Sequence, residues 1–260
     1  MLKVVTYNIL HGYHPDSILK NIAFFIKKGV SVFCLQEADV CFEKPLKSFL
    51  KNKHLKNWRV QYARVGLGGN LAVLWDASCL SAGKFETLWL PCLPRPPLIS
   101  RLKGHGGIIK RGALVGTFVS KNKIVRVVNC HLAWEGGIKH RLVQLNYLKE
   151  KLPDIGISDV IAGDFNTFAP SFLRRLQQVK VESLLGPSWK NVLPDISWSC
   201  DVSYSAPQDK WETVVGICRL LDIKLQSRLD YIFVRNVSVI GAKMIDLPGS
   251  DHRPLMVSLR

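Results

Sequence analysis

The chain has 260 residues, a formal net charge of +16, and 47% hydrophobic against 22% charged residues. These are ordinary proportions for a globular protein, and no apolar run reaches the length needed to span a bilayer as a helix. The charge is uneven: residues 1–130 carry 20 Lys and Arg against 6 Asp and Glu, a net +14, whereas residues 131–260 carry 16 against 14, a net +2.

In chain order, the stretch from Leu2 to Leu10 reads as a first strand. Met1-Leu2-Lys3 leads straight into it, so no cleaved leader is expected. Asp16 is expected to cap a helix with the apolar stripe Ile18, Leu19, Ile22, Phe25 and Ile26, closed by Lys27, Lys28 and Gly29. The continuous apolar run from Ser31 to Gln36 predicts a buried central strand that delivers Glu37 to its end. A basic helix is expected from Lys44 to Lys53. Strands follow from Trp58 to Ala63, Asn70 to Trp75, Ala113 to Val119 and Ile124 to Cys130, the last two joined by a turn at Ser120 to Lys123. Ile138, Leu142, Leu145 and Leu148 make one face of a second helix, and the strand from Asp159 to Ala162 carries Gly163-Asp164-Phe165-Asn166. The segment from Pro187 to Lys210 has no period and reads as a long surface loop. Strands from Leu229 to Val234, Val237 to Met244 and Leu255 to Leu259 complete a layered α/β pattern.

Four polar clusters end apolar runs: Thr6-Tyr7-Asn8, Gln36-Glu37, Gly163-Asp164-Phe165-Asn166 and Ser250-Asp251-His252. One such cluster is most often a turn former satisfying its own backbone. Several, at the ends of rigid strands, are how a sheet holds oxygen ligands around a divalent metal while a phosphate stays open to solvent. Asp164 and Asn166 alternate across Phe165, so in an extended chain both would face the same side.

The ordered series TYN, QE, NCHL, GDFN, RLDYIF and SDHRPL, from Thr6 to Pro254, resembles the endonuclease/exonuclease/phosphatase superfamily, which includes DNase I, abasic-site endonucleases, sphingomyelinases and inositol polyphosphate phosphatases. The resemblance implies one domain over residues 1–260, a DNase I-like layered α/β sandwich of two packed sheets flanked by helices, with the site at one end. It implies hydrolysis of a phosphate ester by metal-assisted, in-line attack of water. Glu37, Asn8 and Asp251 would hold Mg2+, with Mn2+ as a substitute. Asp164 would orient or deprotonate the water, Asn166 would bind a phosphoryl oxygen, and His252, oriented by Asp230, would donate to the non-bridging oxygens. Asp164 and His252 both remain candidates for the formal base. His131 would be a second imidazole at the phosphate, as in the DNase I and sphingomyelinase branches. Its acidic partner is missing from the segment from Arg64 to Asn70, leaving Glu86 or a backbone carbonyl. Asn70 contacts the site or serves a turn, and Arg111 binds a substrate phosphate or braces a loop.

Between Thr87 and Trp134 there are eight basic residues and no acid. Such a block raises the local concentration of a polyanion, which favours nucleic acid as substrate and an unspecialised nuclease as the activity. The alternative is a lipid-headgroup phosphodiesterase, sphingomyelinase-like or phosphoinositide-directed, whose basic face docks on an anionic membrane and whose Trp89, Leu90, Leu93, Leu98 and Ile99 enter the interface. A catalytically silent nucleic-acid-binding module is a third reading, but no motif residue is lost. A monomer is expected. The seven cysteines lack C-x-x-C spacing, and Cys34 and Cys130 lie in apolar strands. Mostly buried, reduced thiols in the cytoplasm or another reducing compartment are expected, without zinc or disulfides.

Overall fold

A computed structural model describes residues 1–66, 68–93, 110–121, 123–168, 171–201 and 226–260. Two six-stranded sheets pack face to face and helices cover both outer surfaces. The first sheet contains β1 (Leu2–Asn8), β2 (Val32–Gln36), β3 (Trp58–Ala63), β4 (Leu71–Asp76), β13 (Val239–Met244) and β14 (Leu255–Leu259), in the order β13-β14-β1-β2-β4-β3. The second contains β5 (Ser81–Trp89), β6 (Gly112–Ser120), β7 (Lys123–His131), β8 (Ser158–Asp164), β9 (Lys190–Asn191) and β12 (Asp230–Arg235), in the order β5-β6-β7-β8-β12-β9. A two-stranded ribbon pairs β10 (Cys200–Asp201) with β11 (Gln226–Ser227). This is the layered α/β arrangement expected from the strands and interspersed helices, in the form of two packed sheets flanked by helices that the family resemblance implies.

Period-two alternation builds the layers. Val4 of β1 faces the core between the sheets with Val73, Leu114, Val127, Val160 and Val257, while its neighbour Val5 faces outward. There α1 (Pro15–Lys27) and α2 (Val40–Leu50) cover the first sheet with Ile18, Ile22, Phe25, Phe42 and Leu46. The opposite face of the second sheet is covered by α3 (Gly137–Lys151) and α4 (Ser171–Leu185), through Leu145, Leu148, Val181 and Leu185.

Several boundaries differ from expectation. The first helix starts at Pro15 with His14 at its N-cap, so Asp16 lies in the first turn instead of capping it. The second begins at Val40, after Asp39, and runs through Pro45 to Leu50. Neither β5 nor α4 was expected. β5 is an edge strand with a mostly exposed pattern, so it lacks the apolar signature of a buried one. The stretch read as a loop from Pro187 buries Trp189, Val192 and Cys200 and contributes β9 and β10, while residues 202–210 lie outside the described residues. The six cysteines among the described residues are free thiols, three buried and three exposed, fewer buried than expected. No helix of the described residues is long and apolar enough to cross a membrane.

Candidate active site

The sheets deliver the polar clusters to one end of the sandwich. β1 and β2 run parallel with Asn8 opposite Gln36, and β7 and β8 run parallel with His131 opposite Asp164. Antiparallel β12 begins where β8 stops, so Asp230 pairs with Asp164. Gly163 is required by close approach: a Cβ there would lie 1.9 Å from the Cys130 carbonyl oxygen. The sheets are tied just below this end by Asn129, whose Oδ1 accepts from Gln36 Nε2 at 2.7 Å and whose Nδ2 donates to the Leu35 and Ala72 carbonyls at 2.8 and 2.9 Å.

Asp164 is the meeting point. Its Oδ2 accepts from Asn8 Nδ2 at 3.0 Å and lies 3.5 Å from His131 Nε2 and 3.8 Å from His252 Nε2. Burial pushes its carboxyl up to about 7, with Asp230 adding to the rise and His252, the Asn166 amide and Asn8 opposing it. Asp230 Oδ2 holds His252 Nδ1 at 2.8 Å. Burial opposes charge on that imidazole, but Asp230, Cys200 and Asp164 outweigh it and hold His252 well above 6.5. His131 goes the other way: burial, then the positive charges of Arg111, His252 and His11, keep it well below 6.5. One imidazole is therefore poised charged and the other neutral, a division of roles typical of acid–base sites.

Asn166 departs from the extended geometry expected of it. Its φ is +50°, its backbone N–H donates to Asp164 Oδ1 at 2.8 Å, and its Nδ2 donates to the Leu132 carbonyl at 2.8 Å. Phe165 between them is fully buried against Tyr231 and Phe233. Asp164 and Asn166 are thus adjacent through a tight turn rather than through strand alternation.

Glu37, at φ +55°, receives Asn8 Nδ2 at Oε1, 3.2 Å away. Its Oε2 is buried with no hydrogen-bond partner among the described residues, and His11 Nε2 lies 3.2 Å from it. Burial raises the Asp251 carboxyl, and the charge of Glu37 raises it further. The Glu37 and Asp251 carboxylates form an anionic oxygen donor set of the kind that fits a hard divalent cation, whereas Asn8 turns Nδ2 toward Glu37 and its Oδ1 accepts from the Leu10 amide at 3.0 Å. The tighter groups that could hold a metal among the described residues are Asp164–Asp230–His252 and Cys200–Asp251–His252. In the first, Asp230 and His252 are already committed to each other.

Arg111 and Asn70 are placed differently from the other candidates. Arg111 is buried, donates through Nη1 to the Gly68 carbonyl, and lies 3.5 Å from Glu135 Oε1 through Nη2. Asn70 Oδ1 accepts from the Val65 and Gly66 amides, and its Nδ2 donates to Asp39 Oδ1 at 2.7 Å. Glu86 does not serve His131: it is half exposed on β5 beside Lys84, 3.3 Å away. No carbonyl serves either, since His131 Nδ1 has no hydrogen-bond partner among the described residues.

Three contributors escaped the sequence reading. Ser199 donates to Asp230 Oδ2 at 2.7 Å and accepts the Leu229 and Asp230 amides at 3.0 and 2.9 Å. His11, whose Nδ1 lies 2.7 Å from Asp39 Oδ2, sits in a run of left-handed residues, Leu10, His11 and Gly12. Gly12 is forced there, because a Cβ would meet Phe42 at 2.6 Å. Glu135 is the first acid after the basic block, and Trp134-Glu135 directly after the NCHL strand was the available signal. Of that block, Arg95, Arg101 and Lys103 lie outside the described residues; among the described ones Lys121 and Lys123 lie at the β6–β7 turn, and Arg126 is bound to Asp159 at 2.7 Å, all at the end of the sheet opposite Asp164.

Comparison with solved structures shows the fold. TDP2 from D. rerio, complexed with single-strand DNA product, superimposes with a TM-score of 0.71 at 14% identity, covering 100% of this chain and 98% of that one. An endonuclease/exonuclease/phosphatase from Bacteroides vulgatus gives 0.69 at 17% identity, with 100% and 98% covered. A mannosyl-6-phosphatase from Bacteroides thetaiotaomicron gives 0.66 at 18% identity, with 100% of both chains covered. At the level of sequence, no family model and no curated protein matches. The chain therefore has the fold these structures share, the DNase I-like layered α/β sandwich that the ordered motifs implied.

Proposed function

We propose that the chain is a Mg2+- or Mn2+-dependent phosphodiesterase that cleaves nucleic acid by in-line attack of water. The supporting observation is convergence: Asp164 Oδ2 meets side chains from Asn8, His131 and His252 within 3.8 Å, residues drawn from both sheets. Glu37, Asn8 and Asp251 would hold the metal, which when bound polarises the ester and offsets charge on its oxygens. Asp164 faces the attacking water, and burial strengthens it as a proton acceptor. His252, kept protonated by Asp230, donates to a non-bridging oxygen as negative charge grows there. Neutral His131 supplies Nε2 on the same side, and Asn166, with one amide hydrogen given to Leu132, has a second to offer the phosphoryl group. Nucleic acid is favoured by the net charge of +16 and by the fold shared with a DNA-complexed neighbour.

The test is a panel of duplex DNA, single-stranded DNA, RNA, abasic DNA, inositol phosphates, a sugar phosphate and sphingomyelin, each with Mg2+ or chelator. Metal-dependent cleavage of a nucleic acid is expected, and Asp164→Asn should lower its rate by about a hundredfold or more while leaving binding largely intact. Cleavage by Asp164→Asn at the wild-type rate would remove Asp164 from the mechanism. Headgroup release from sphingomyelin alone would favour the lipid reading.

A further inference from the structure

We infer that the rim of this site is a base-stacking platform for an unpaired nucleic-acid strand, an inference that rests on the nuclease reading above. Among the described residues five aromatic side chains are more than a third exposed: Tyr13 at 45%, Phe24 at 37%, Trp89 at 51%, Trp134 at 40% and Phe168 at 58%. All except Phe24, on α1, follow directly from elements that end at the site. Tyr13 lies five residues beyond Asn8, Trp134 three beyond His131, and Phe168 two beyond Asn166. Trp89 ends β5 opposite Gly112, next to Arg111. Lys110 Nζ stands over the Trp89 ring, 5.7 Å from its centroid, so a cation that can meet a backbone phosphate accompanies this ring and a base would take its other face.

Four exposed rings on segments that end at a phosphate-handling site fit a ligand with both π faces and charge. Base-on-aromatic stacking meets that need and tolerates sequence, but it requires bases released from a duplex. β5 and β8 are separated by three strand spacings, about 14 Å, so Trp89 and Phe168 suit different nucleotides of one short strand. The platform thus selects single strands, frayed ends or loops over intact duplex.

The experiment measures binding by the intact chain carrying Asp164→Asn, with three probes of equal length: a single-stranded oligodeoxynucleotide, its duplex, and a single strand of abasic sites. The base-bearing single strand should bind at least about fivefold more tightly than the abasic strand, as expected for even one stacked base. Trp89→Ala and Phe168→Ala should erase most of that difference, and Phe168→Trp should retain it. In the otherwise wild-type chain, the same rim variants should melt normally. Equal affinity for base-bearing and abasic strands, preference for duplex, or rim-dependent binding only to anionic lipid vesicles would each overturn the platform. Failure to cleave any phosphodiester would instead defeat the nuclease reading, whatever the binding results.

Discussion

At the residue scale, the two imidazoles near Asp164 carry opposite demands. His131 is held well below 6.5 by burial and by the positive charges of Arg111, His252 and His11. Below about pH 6.5 the unfolded chain therefore binds a proton that the folded chain refuses, so this group makes stability fall as pH falls. His131→Asn cannot take that proton. Urea unfolding at about pH 7 and about pH 5 should show the stability difference moving in the variant's favour at the lower value. An unchanged difference would mean that His131 titrates like a solvated imidazole. Ser199 shows how far such a site reaches beyond its reacting groups: its hydroxyl fixes Asp230, and Asp230 fixes His252.

At the element scale, β7 and β8 depend on a missing side chain. The 1.9 Å approach of a Cβ at position 163 to the Cys130 carbonyl oxygen leaves no room for Gly163→Ala unless the strands part. A loss of at least about 3 kcal/mol in denaturant unfolding is expected, since overpacking here displaces backbone. A variant as stable as the parent would show that the strands can shift without penalty. This explains why the first letter of Gly-Asp-Phe-Asn could be read as a signal at all. The strand-end positions of Asn8, Glu37 and Asp164 were legible because buried apolar runs lead into them, and Asp251 because it stands shortly before the buried last strand rather than after an apolar run. Ser199, Glu135 and His11 were not, because their roles depend on partners far away in sequence or on a left-handed backbone that no periodicity reports. The turn at Asn166 was hidden for the same reason, and β5 because an edge strand lacks the apolar code.

At the scale of the whole molecule, the basic side chains among the described residues do not form one approach path. Lys121 and Lys123 stand at the end of β7 opposite His131, Arg126 is bound to Asp159, and Arg111 is buried against Glu135. Replacing Lys121 and Lys123 together by Ser should leave kcat/KM on a nucleic-acid strand within about twofold, whereas Lys110→Ser should lower it, most clearly at low salt where steering is strongest. Equal losses from both would mean that the field acts as a whole rather than by position. The seam between the sheets has its own consequence. Asn8 and Glu37 belong to one sheet and His131, Asp164 and Asp230 to the other, with Asn129 pinning the two together beneath them. Like a dowel in a hinged tool, this amide sets the alignment of two jaws that it never visits, so a slip along the seam would be felt as slowed turnover well before it was felt as loss of structure.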